Sequence, residues 1–138
     1  MGFIRVIHQK HYDPDKGNFK SLAFKPSSDG SGISVIDEKC ISQSGIGVCE
    51  HINRFYKDLA GKPPIFWRIP TEELPENHRF IQRTSTTGDA CHYNLTGISE
   101  KESRTLLKRV NLSEFNVCSE NGGDRPLTDS DMLVWSQT

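Results

Sequence analysis

Five histidines are the residues of this chain best suited to chemistry, because an imidazole with a pKa of about 6.5 exchanges protons at neutral pH. His8 closes the apolar run Phe3-Ile4-Arg5-Val6-Ile7, His51 lies in an amphipathic stretch, and His92 opens a later β-rich run. Arg5, three residues before His8, carries a permanent charge suited to a phosphate or carboxylate. If the stretch around His51 is a helix packed on a sheet, His8, His51 and His92 can converge near Arg5. That would make a site for phosphoryl or glycosyl chemistry, with Arg5 and His8 binding the ligand and His51 or His92 moving the proton. Glu50, a carboxylate beside His51, joins the catalytic candidates. The alternative for each histidine is a partly buried structural position, and for Glu50 a helical i,i+4 pair with Arg54. His11 and His78 fall in polar loops and drop out.

Cysteine offers a second chemistry. Cys40, Cys49, His51, Cys91 and His92 are ligand types for zinc, but their spacing matches no zinc knuckle or ribbon. Adjacent Cys91 and His92 would point to opposite faces of a strand, which also weakens them as a nucleophile and its base. The expectation is four buried free thiols and neither metal nor cofactor, with a zinc-stabilised domain as an alternative. Asp124, Asp129 and Asp131 lack the spacing of a calcium loop, and Gly30-Ser31-Gly32 matches no nucleotide fingerprint.

The elements that must position these residues follow from period and punctuation. Phe3–His8 reads as a strand ending in an Asp-Pro-Asp-x-Gly turn, Phe19–Phe24 as a second strand, and Ile33–Ile36 as a third. Val48, Ile52, Phe55, Tyr56 and Leu59 share one helical face over residues 48–59, and Gly61 with Pro63-Pro64 stops that helix. Ile65–Ile69, Arg79–Thr84, Cys91–Leu95 and Phe115–Cys118 are further strands, with one short helical turn at Thr71. Ser99 followed by Glu102 is a capping box, so a second helix begins there and continues through Leu106, Leu107 and Val110. Residues 119–138 read as an irregular C-terminal segment in which Met132–Trp135 is an edge strand or a packed tail. The order predicts one α+β domain over residues 1–138: a mixed or mainly antiparallel sheet with two main helices packed on it.

Composition sets the remaining bounds. With 138 residues, 34% of them hydrophobic and 25% charged, the chain is long and apolar enough to bury a core. A net charge of −1 disfavours nucleic acid as a partner, although Lys20, Lys25, Arg79 and Arg83 interleave with Phe19, Phe24 and Phe80. The apolar runs are too short to span a membrane, and no apolar leader follows the N-terminal methionine, so a soluble cytoplasmic protein is expected.

The ordered set Arg5-x-x-His8, Ala23-Phe24-x-Pro26, Ser34-Val35, Glu50-His51 and His92 ahead of Leu95 resembles a group of short, uncharacterised bacterial proteins over about residues 3 to 98. It departs from them at Gln9, where proline is usual. The resemblance implies that Arg5, Ser34, His51 and His92 matter, without assigning them roles. Arg5, Ser34 and Glu50 in that order are also similar to the Arg/His–Ser–Glu series of ADP-ribosyltransferase-type domains. The leading expectation is a bacterial binding or accessory module that recognises a protein partner of a multi-component system or a small anionic ligand. The alternative is a transferase or hydrolase acting on a phosphorylated or NAD-like substrate through Arg5, His51 and His92.

Overall fold

Alternation decides the first strand: Ile4 and Val6 point to one face of a sheet, and Arg5 between them to the other. The computed structural model describes residues 2–13, 15, 16 and 18–136. Its strands and helices are, in chain order, β1 (Phe3–Val6), β2 (Tyr12–Asp13), β3 (Asn18–Phe19), β4 (Ile33–Asp37), α1 (Glu38–Gln43), α2 (Val48–Phe55), β5 (Ile65–Arg68) and β6 (Arg79–Gln82). There follow β7 (His92–Thr96), α3 (Glu100–Lys108), β8 (Phe115–Cys118), β9 (Asp124–Pro126) and α4 (Asp129–Ser136). Seven strands form one sheet in the order β6-β7-β4-β1-β5-β8-β9, every pairing antiparallel, while β2 and β3 make a separate hairpin. The α+β class is therefore as expected, with four helices around the sheet.

Each face of the sheet is covered because both sets of alternating side chains are largely apolar. Ile4, Val6, Ile36 and Phe66 pack with Ile41 of α1 and Ile52 and Tyr56 at α2. Ile33, Val35, Ile65, Trp67, Leu95 and Phe115 pack on the other side with Leu106 of α3 and Met132 and Trp135 of α4. The capping box forms as expected: Glu102 donates its amide to Ser99 Oγ at 3.1 Å and its carboxylate accepts from the Ser99 amide at 2.9 Å.

Four expectations need correction. The strand assigned to residues 19–24 ends at Phe19, and Ser21–Phe24 forms a short 3-10 helix that buries Ala23 and Phe24. α1 arises where no helix was expected, capped by Asp37 accepting from the Lys39 amide at 3.1 Å. The supposedly irregular C-terminal segment contains β9 and α4. The Arg125–Asp131 ion pair, with two 2.8 Å bonds, draws the helix start against β9 while Trp135 is driven into the core.

The cysteines are the fourth correction, because none is a free thiol: Cys40 is bonded to Cys91 and Cys49 to Cys118. Each bridge runs from a short helix to the sheet, α1 to the residue before β7 and α2 to the end of β8. Loop spans of 51 and 69 residues make each worth on the order of 4 kcal/mol through restriction of the unfolded chain. Such bridges persist in oxidising compartments, so they do not support the expected cytoplasmic location. Among the described residues no helix is long and apolar enough to cross a membrane.

Candidate functional site

The β1–β4 ladder pairs Phe3 with Asp37 and Ile4 with Ile36, and then the two strands part. Arg5 spans the gap. Its Nη1 donates to the Ser34 carbonyl at 2.9 Å and its Nε to the Ala23 carbonyl at 3.0 Å, so a side chain serves a backbone acceptor that the ladder no longer pairs. The parting leaves a cleft of about 60 Å³ lined by Arg5, Val6, His8, Ser34, Ile36, Tyr56 and Leu59. That is room for a reacting group or a few waters, not for a whole substrate.

Ser34 alternates with Val35, whose side chain enters the α3 core, so its hydroxyl lies on the α2 side of the sheet. Across the β4–β7 ladder, His92 stands opposite Ile36, one diagonal step from Ser34. Ser34 Oγ and His92 Nε2 are 2.5 Å apart, and His92 Nδ1 is 2.7 Å from the Arg83 carbonyl. A carbonyl only accepts, so Nδ1 carries the ring proton and Nε2 accepts from the serine hydroxyl. His92 is 7% exposed and fixed at both nitrogens, whereas Ser34 is open to solvent. A hydroxyl, an imidazole and a carbonyl that holds the imidazole are thus linked in series, the contacts that a serine nucleophile and its base would need.

The electrostatics of the cleft come from Arg5. Burial lowers its pKa to about 10, which still leaves it charged at neutral pH. Burial, followed by the fields of Arg5 and Lys10, pushes the His8 pKa down to about 4. His11 falls to about 3 for the same reasons, with His8 and Lys20 adding to the effect. His8 is therefore a neutral hydrogen-bonding group beside one fixed cation.

Behind the cleft wall lies a buried polar chain. The Tyr56 hydroxyl donates to Asp89 Oδ2, the Cys91 amide donates to Asp89 Oδ1 at 2.8 Å, and His51 Nε2 stands 3.0 Å from Asp89 Oδ2. The His51 contact has ion-pair range without the alignment of a hydrogen bond, and among the described residues His51 Nδ1 has no partner either. Burial is the largest influence on Asp89 and raises its pKa. The contacts from His51, Tyr56 and the Cys91 amide together outweigh it and keep the carboxylate ionised. Burial and the adjacent carboxylate raise the Tyr56 pKa, so this phenol stays protonated.

The structure brings Arg5, His8 and Ser34 to one cleft and sets His92 directly behind Ser34. His51 is 2% exposed, its ring centroid is 6.3 Å from that of Tyr56, and it does not line the cleft. Glu50 does not join the group: it is exposed on α2 and pairs with Arg54 at 3.2 Å. Sequence reasoning missed Tyr56, Asp89 and the Arg83 carbonyl. Tyr56 was read as one apolar position of a helix, and Asp89 sits in a Thr-Thr-Gly-Asp loop whose burial has no sequence signature. Among the described residues no group of three or more His, Cys, Asp or Glu is placed to hold a metal ion. Comparison of the chain with family models, with curated proteins and with solved structures yields no match.

Proposed function

We propose that the chain is an enzyme, a hydrolase or group transferase that uses Ser34 as nucleophile on a small anionic ester. The observation that carries this reading is the Ser34 Oγ–His92 Nε2 contact of 2.5 Å with His92 Nδ1 held on the Arg83 carbonyl. Ser34 Oγ attacks the acyl carbon or phosphorus as its proton passes to His92 Nε2. The imidazolium that forms stays anchored through Nδ1. The leaving oxygen takes that proton, and water or an acceptor alcohol, deprotonated by His92, releases the group from Ser34. Arg5 supplies the charge that holds the anion, since its Nη2 makes no hydrogen bond among the described residues.

A second reading is the binding or accessory module, in which the same cleft holds an anionic ligand or a partner's acidic side chain without turnover. What favours it is the pairing of a fixed cation, Arg5, with a neutral His8. Two disulfides make an oxidising compartment the better-supported location under either reading.

A fluorophosphonate probe separates the two. The enzyme reading expects one label per chain, at Ser34, abolished by Ser34→Ala and slowed at least 100-fold by His92→Gln with an unchanged circular dichroism spectrum. An unlabelled wild-type chain that still binds inorganic phosphate through Arg5 would sink the enzyme and leave the binding module.

A further inference from the structure

A second recess lies apart from the Ser34 cleft. It holds about 560 Å³, within the ~300–1,000 Å³ range of small-molecule pockets, and opens between the β2–β3 hairpin and the C-terminal half of α3. Its floor is Phe19, Leu107, Val110 and Phe115, which belong to the α3-side core, so it is separate from the Ser34 cleft. Leu22, 48% exposed, extends this apolar surface to the rim.

Charge on the rim is one-sided. Lys16, Lys20, Arg104 and Lys108 surround the opening, and Asp13 is the one acidic residue among them. Lys16, Lys20 and Lys108 make no ion pair among the described residues, and Arg104 has a 3.9 Å contact with Glu100 on the exposed surface of its own helix. Asp13 is partly used in accepting the Asp15 amide at 3.0 Å. Gathering four cations around an apolar hollow is unfavourable without a counter-charge, and an anionic ligand relieves it.

The shape of the floor narrows the chemistry further. Phe19 is engaged by Phe115 at 4.7 Å and edge-on by Tyr12 and Trp135, so its ring is not an open stacking platform for a nucleobase. Leu22, Leu107 and Val110 present aliphatic surface instead, which suits a methylene chain.

We propose that this recess binds a single-chain anionic amphiphile of the fatty-acid carboxylate class, its chain on Leu22, Leu107 and Val110 and its head among Lys20, Arg104 and Lys108. Calorimetric titration with decanoate, decyltrimethylammonium and acetate, each below its aggregation concentration and at low salt, tests it. Saturable 1:1 binding of decanoate is expected, at least 20-fold tighter than either control and weakened at least fivefold by the exposed double change Lys20→Gln/Lys108→Gln. Decanoate binding no tighter than acetate would reduce the recess to a simple anion site and overturn the proposal. Equal binding of decyltrimethylammonium, unchanged affinity in the double variant, or no saturable binding of decanoate to the wild-type chain would overturn it as well.

Discussion

His8 and His11 are held neutral by the fold, and this gives stability a pH dependence with a definite sign. Unfolded, both take up protons below about pH 6.5, whereas the folded chain keeps them off until about 4 and 3. The unfolded state therefore binds more protons across that window, and stability is greatest above pH 6.5 and declines as the pH falls toward 4. Asp131 acts in the same direction lower down. The Arg125 bond first, and then the Thr128 contacts, overcome burial to lower its pKa from 3.8 to about 2, so its contribution disappears between those values. The urea midpoint at pH 5 is expected to fall below that at pH 7.5, and His8→Gln/His11→Asn to flatten the difference. An equally steep profile in that variant would assign the decline elsewhere. Residue types were legible in the sequence here: Arg5, His8, Ser34 and His92 were all singled out. Their roles were not, because the Ser34–His92 contact depends on a diagonal register between strands 58 residues apart. His11, set aside as a loop residue, proved buried at 6% exposure.

Among the elements, α1 and α2 have 6 and 8 residues, well under the ~12–15 at which an isolated helix begins to hold in water. They depend on their contacts with the sheet, and each also has a covalent tie to it. Reduction should consequently loosen that face first. Hydrogen exchange after treatment with a thiol reductant is expected to rise over residues 38–56 well before it rises over β5 and β8, and the thermal midpoint to drop by more than about 10 °C. Uniform loss of protection would show that the sheet depends on the bridges equally. The capping box of α3 and the amphipathic face of α2 were readable because they are local signals. α4 was hidden because Met132 and Trp135 sit in a run with exposed Leu133 and Val134, a pattern without a clean period.

At the scale of the whole molecule, the sheet order joins residues that are remote in the chain, and the C-terminal helix closes the α3-side core. Trp135 is 2% exposed, donates through Nε1 to the Pro63 carbonyl at 2.8 Å, and accepts at its own carbonyl from Gln9 at 3.1 Å. Gly61 lies so close beneath it that a Cβ there would run into the indole. Trp135→Ala is expected to cost about 3–5 kcal/mol in chemical unfolding, the range for a large aromatic removed from a core. A loss under about 1 kcal/mol would mean that the last helix only decorates the fold. The α+β class was legible because strand and helix periods are written locally, whereas strand order and cysteine partners are set by long-range packing that no short window contains.

The two bridges also overlap along the chain, since Cys49 lies inside the loop closed by Cys40 and Cys91 while Cys118 lies outside it. Any single backbone cut between residues 40 and 118 therefore leaves two pieces still joined by at least one sulfur–sulfur bond. In a protease-rich setting, a nick in the exposed Arg83–Gly88 loop would leave Ser34 and His92 on different fragments of what remains one covalent molecule.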